Sequence, residues 1–206
     1  MRRALPIFVL AAMCAAPVAA APPSLTLKAA PIVVTYGATS TLSGVLSTQK
    51  TGQAIDIRTQ ACGQNAFNKT ASATTTTGGA FSYGAKPTID TNYQAKLKGA
   101  TSPSVAVKVA PVLTLKKLAL GKFSVSVTAA QSFAGKYVVF QRLRRTKWVT
   151  LKKVTLATAK TTTAPTQVTS ATFKIRLPAR LRVRSILPAA QAATCYLGAK
   201  SPVIRS

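Results

Sequence analysis

The strongest constraint on this chain is the period of its apolar residues. Beyond the first twenty residues they come in short runs alternating with polar side chains, and Gly, Pro, Thr and Ser punctuate the runs. No segment keeps apolar residues at helical spacing over three turns. Alternation with a period of two marks a strand with one face buried, so the chain is expected to be all-β.

The expected strands of the first half are 25–28, 32–35, 40–46, 54–59, 68–74, 80–84, 92–97 and 104–109. Those of the second half are 113–116, 123–128, 137–142, 148–156, 171–177, 180–186 and 202–205. Seven or so short strands in each stretch of about 90 residues is the count of an immunoglobulin-like sandwich.

An internal echo divides the chain in two. Gly52-Gln53-Ala54-Ile55-Asp56-Ile57-Arg58 aligns with Gly135-Lys136-Tyr137-Val138-Val139-Phe140-Gln141. Phe67 then corresponds to Trp148, Phe81 to Phe173, Pro87 to Pro178, and Ser102-Pro103 to Ser201-Pro202. The expected architecture is two tandem antiparallel immunoglobulin-like β-sandwiches, residues 21–110 and 111–206, after a cleaved signal peptide of residues 1–20. Ala110-Pro111 is too short for a loose linker, so the two should abut. Phe81, Phe140, Trp148 and Phe173 are expected to fill the cores, and Gly37, Gly44, Gly52 and Gly79 to supply turns.

Residues 1–20 carry the signs of export. Arg2 and Arg3 precede an apolar run from Ala4 to Ala16, and Val18-Ala19-Ala20 offers small residues for cleavage after Ala20. Met13 before Cys14 argues against a lipid anchor there. The expected location is secreted or associated with the cell wall, and no second apolar run is long enough to span a bilayer.

Particular motifs now carry a likeness. The first half holds Tyr36-Gly37, Leu42-Ser43-Gly44, Gly79-Ala80-Phe81, Thr91-Asn92-Tyr93 and Ser102-Pro103-Ser104-Val105. The second holds Gly135-Lys136-Tyr137-Val138, Phe140-Gln141-Arg142, Trp148-Val149, Arg182-Val183-Arg184 and Tyr196. Across nearly the whole exported chain this resembles the secreted immunoglobulin-like repeats of actinobacteria. The resemblance implies a spacer, adhesion or wall-associated module, and the high Lys content with almost no acids departs from it.

Without Cys14, the cysteines number two, Cys62 and Cys195. Cys62 follows the third core strand at the end of the first sandwich that faces the second. Cys195 lies in the loop before the last strand, at the facing end of the second sandwich. Sandwiches joined end to end bring these together, so an inter-domain disulfide is expected; buried free thiols or an intermolecular bond are the alternatives.

Charge limits the chemistry. The chain has 28 Lys plus Arg against 2 Asp plus Glu and no His, a net +26. His-based triads, carboxylate pairs and His or carboxylate metal sites lack their side chains, so no enzyme activity, metal or cofactor is expected. Residues 21–110 hold 8 basic residues and both acids, whereas residues 111–206 hold 18 and no acid. In Arg180-Leu181-Arg182-Val183-Arg184, alternation places three arginines on one outer face, and Lys174 and Arg176 repeat the pattern. Arg142, Arg144, Arg145 and Lys147 form a basic turn beside them. With no carboxylate to balance these nine residues, counter-ions must come from outside. Anionic cell-wall or surface polymers are the expected partners and nucleic acid is not, since aromatic stacking platforms are scarce. A passive spacer or adhesion module without a polyanion ligand is the alternative. Ser47-Thr48-Gln49-Lys50 and Lys50-Thr51-Gly52 match motifs of serine acyl-enzymes but share Lys50, which cannot serve both roles, so the segment is read as a turn.

Overall fold

The computed structural model describes residues 22–192 and 194–206; the expected signal peptide and Cys14 lie outside them. Every pairing between strands falls wholly before or wholly after Pro111.

Before Pro111 the strands are β1 (Lys28–Ala30), β2 (Val33–Thr35), β3 (Ser40–Val45), β4 (Ala54–Ala61), β5 (Asn68–Thr74), β6 (Ala80–Ala85), β7 (Thr91–Leu97), β8 (Ala100–Thr101) and β9 (Val105–Ala110). One sheet runs β1-β3-β6 and the other β2-β9-β7-β4-β5, with β8 also on β7. All pairs are antiparallel except β2 with β9. From β1 in one sheet the chain thus crosses at Pro31 to β2 at the edge of the other. Leu42, Ile55, Ile57, Val107 and Val109 are fully buried between the sheets.

After Pro111 come β10 (Val112–Ala119), β11 (Lys122–Ala129), β12 (Tyr137–Arg144), β13 (Lys147–Thr155), β14 (Thr158–Thr161), β15 (Gln167–Lys174), β16 (Arg182–Leu187), the short helix α1 (Ala189–Ala192), β17 (Ala199–Lys200) and β18 (Ile204–Arg205). The sheets are β10-β11-β15-β14 and β13-β12-β16-β17, with β18 also on β16. Lettered A to G in chain order, with β13 as the inserted C′, this is the ABED and C′CFG division of an immunoglobulin sandwich. The protein is therefore an all-β sandwich fold built from antiparallel sheets, as its alternation requires.

Local pattern explains the sheets. In β11, Phe123, Val125, Val127 and Ala129 are completely buried and alternate with half-exposed Ser124, Ser126 and Thr128. Phe123 meets Phe140 at 5.2 Å between ring centroids, and Phe140 meets Phe173 edge-on at 5.0 Å. These rings come from both sheets, so they bind the layers as well as excluding water. Gly44 departs from the turn role expected of it: it lies within β3, where a Cβ would collide with the Thr26 carbonyl and the Phe81 ring.

β14 and α1 fall outside the strands expected from the sequence. Ser102-Pro103 and Ser201-Pro202 interrupt the last strand of each half in the same way. Ser102 Oγ accepts from Ala95 N–H and donates to the Pro103 carbonyl, both at 2.9 Å. Ser201 Oγ accepts from Ser185 N–H and donates to the Pro202 carbonyl, also both at 2.9 Å.

Candidate functional site

The two halves meet through a polar junction closed by the Cys62–Cys195 disulfide, whose Cα atoms are 5.5 Å apart across 133 residues. Cys62 follows β4, and Cys195 lies between α1 and β17, the two loops the topology singles out. Beside the disulfide, Asp90 N–H donates to the Cys195 carbonyl at 3.0 Å, and the Asp90 carbonyl accepts from Cys62 N–H at 2.8 Å. The Asp90 carboxylate takes Val109 N–H at 2.7 Å and pairs with Lys108 at 3.1 Å. Tyr196 spans the join: its hydroxyl donates to the Thr88 carbonyl at 2.7 Å and accepts from Ala130 N–H at 3.1 Å. Burial pushes the Tyr196 phenol above its usual pKa, so it stays a donor at neutral pH. Leu197 N–H to the Val109 carbonyl at 2.8 Å, and Tyr36 with Thr166 at 2.9 Å, also link the halves.

The outward face of the β13-β12-β16-β17 sheet is the candidate binding site. Residues directly opposite one another share a face, so the register assigns it. Val183, Ser185 and Leu187 of β16 are buried, which turns Arg182, Arg184 and Ile186 outward. Arg184 is opposite Gln141, Arg182 opposite Arg205, and Ile186 opposite Lys200. Trp148 joins them: the Arg184 guanidinium lies 4.0 Å from the centre of its ring. Arg184 Nε donates to Gln141 Oε1 at 3.1 Å, and the guanidinium's burial lowers its pKa from the ordinary Arg value. On the next strand Lys153 sits 5.0 Å over the Tyr137 ring. The face therefore carries Lys153, Arg182, Arg184, Lys200 and Arg205, two of them braced on aromatic rings. No carboxylate side chain exists anywhere after Asp90. The arrangement can hold a spread of anionic oxygens; it holds no nucleophile with a base beside it.

Of the nine basic residues expected to form one site, Arg182 and Arg184 lie on this face. Arg144, Arg145 and Lys147 occupy the β12–β13 turn at its edge. Arg180 is not on the strand: it sits in the preceding turn at φ +66°, its N–H donating to the Ser206 carbonyl at 3.1 Å. Arg142 stands opposite buried Val183 and so points inward, with its Nε buried and without a protein partner. Lys174 belongs to the opposite sheet, facing Lys122 across β11 and β15, and Arg176 follows β15. Trp148 corrects its expected core role, being half-exposed beneath Arg184. Sequence reading missed Lys153, Lys200 and Arg205 as members of the face. The register of β12, β16 and the split last strand groups them, and only their alternation with Val154, Ala199 and Ile204 hinted at it.

The Ser47–Gly52 segment is a turn between β3 and β4, and Ser47 Oγ accepts from Ser24 N–H at 2.8 Å. Among the described residues no helix is long and apolar enough to cross a membrane. The disulfide suits an extracellular protein.

Comparison with known proteins leaves the family open. No protein-family model matches the chain, and no curated protein matches it. Among solved structures it aligns with a crystal structure of bovine butyrophilin at 10% identity and a TM-score of 0.32, over 87% of this chain and 98% of that one. A score that low establishes no shared fold, and the immunoglobulin order stands on the strand pairing itself.

Proposed function

We propose that the chain is an exported, non-enzymatic module of two immunoglobulin-like domains, 21–110 and 111–206, that holds anionic envelope polymers on its second domain. An immunoglobulin-like sandwich with no membrane-crossing helix among the described residues is consistent with a binding or structural module. The shared hydrogen bonding of the two Ser-Pro pairs supports the reading of two related domains. The basic n-region and the disulfide support export.

The observation that carries the ligand is the face itself. Arg182 stands directly opposite Arg205, and no Asp or Glu side chain lies in the same half to relieve them. Like charges across a strand pair repel, and an external polyanion relieves the repulsion. Arg favours sulfate, phosphate and carboxylate oxygens through its planar fork. The test is salt elution of the protein from immobilised teichoic acid or heparin. Arg182→Gln, Arg184→Gln and Arg205→Gln together should lower the eluting salt markedly. Unchanged elution of the triple variant would refute the face, and elution of the wild type with a neutral control would leave a passive spacer.

A further inference from the structure

The second sandwich has a junction end and a far end, and they differ sharply. β10 leaves the junction at Val112 and reaches the far end at Ala119, and β11 returns from there at Lys122. β15 arrives at the far end at Lys174, opposite Lys122. The hairpin tip is therefore the part of this sheet most remote from the first half.

The tip is apolar where it ought to be polar. Leu118 is 52% exposed and Leu120 is 74% exposed, the latter more than any other large apolar side chain among the described residues. Leu118 falls at a register shift between Lys117 and Ala119, which takes it out of the pairing with β11. Isolated exposed leucines need no explanation, but two at one hairpin tip, next to an apolar groove, do. That groove, of about 860 Å³, runs between the tip and the segment after β15, over Ile175, Leu177 and Pro178. Its walls are tied together, since Ile175 N–H donates to the Gly121 carbonyl at 2.8 Å.

Cations ring this apolar tip. Lys116 and Lys117 precede it, Lys122 follows it, and Lys174 and Arg176 line the groove. Lys122 and Lys174 stand directly opposite each other, and no Asp or Glu side chain follows Asp90 to pair with them. A hydrophilic polymer would satisfy these charges and gain nothing from the leucines. An anionic bilayer satisfies both: lipid phosphates meet the cations while the leucines enter the acyl boundary.

We infer that the β10–β11 tip docks the protein onto an anionic lipid bilayer, with Leu118 and Leu120 inserted and Lys116, Lys117, Lys122, Lys174 and Arg176 at the headgroups. The inference uses none of the five residues of the polyanion face, so either can fail without the other. Co-sedimentation with phosphatidylglycerol vesicles, against phosphatidylcholine vesicles, tests it. The wild type should bind the anionic vesicles and not the zwitterionic ones, and equal binding to both would overturn the charge requirement. Leu118→Ser with Leu120→Ser alters only exposed side chains and should weaken binding about a hundredfold, since each buried leucine contributes about tenfold in affinity. Lys122→Gln should weaken it roughly fivefold. Leu120→Trp should show emission shifted to the blue on anionic vesicles, and an emission unchanged by vesicles would overturn insertion. If the leucine variant binds as the wild type does while Arg182→Gln, Arg184→Gln and Arg205→Gln abolish sedimentation, the lipid is only another polyanion for the sheet face and the tip proposal fails.

Discussion

The two halves share the pairing of their central strands but treat charge in opposite ways. Before Pro111 each carboxylate has a lysine: Asp56 pairs with Lys69 at 2.7 Å and Asp90 with Lys108 at 3.1 Å. After Pro111 there are 18 cations and no acid, and the braced ones rest on neutral groups, Trp148, Tyr137 and Gln141. The first half is thus a sandwich whose few charges serve its own structure and the junction. The second is a similar sandwich whose charges have no carboxylate side chain within the same half to pair with. One fold carries both because outward positions of a sheet are free to vary once the inward alternation is kept.

The junction makes the comparison meaningful, because it holds the halves as one body. Replacing Cys62 and Cys195 by Ser should have the largest effect of any change here. A bond closing 133 residues restricts the unfolded chain strongly, and the chain-entropy model gives about 5 kcal/mol for a loop of that size. Urea unfolding should show the loss, and two separate transitions in the variant would show that the halves unfold independently once unlinked. A single transition with unchanged midpoint would show that the hydrogen bonds around Asp90 and Tyr196 already suffice.

The two acids themselves come next. Asp90 is almost buried and accepts the N–H of Val109, so Asp90→Ala orphans a buried donor and should cost roughly 1–3 kcal/mol. Asp56 is more exposed, so Asp56→Ala should cost about 0–1 kcal/mol despite its shorter ion pair. Equal losses would mean that exposure does not separate them, and that the first half depends on charge as such.

The sequence displayed the fold wherever alternation was unbroken. β11 and β16 read directly as inward and outward residues, and the two cysteine loops followed from strand order alone. Trp148 was illegible for a physical reason. Counting back by twos from buried Leu156 and Val154 places Trp148 inward, but the register slips between Phe140 and Gln141. One extra residue in β13 reverses every side chain before it, and the indole emerges on the outer face. Arg142 shows the reverse case. Counting forward from buried Val138 and Phe140 puts it inward, and assigning it to a turn hid this. The face could not be assembled from sequence because Arg182 and Arg205, or Ile186 and Lys200, are brought together only by pairing across the sheet.

An effect as small as that of Asp56→Ala, but of opposite sign, is the sharpest test of the contrast between halves. Gln141→Glu places a carboxylate where Gln141 Oε1 now accepts from Arg184 Nε at 3.1 Å. In a balanced surface such a pair is nearly neutral, as for Asp56 with Lys69. On a face with no acid, the new charge also relieves Arg182 and Arg205 nearby. The variant should therefore gain about 0.2–1 kcal/mol of stability, with the gain shrinking as salt is raised. Its retention on a polyanion should fall in the same experiment, because the carboxylate competes for the guanidinium. Gained stability with lost retention is the signature of charges kept unbalanced for a ligand. A stability that does not rise at low salt would mean the face feels no repulsion, and the contrast with the first half would lose its energetic basis.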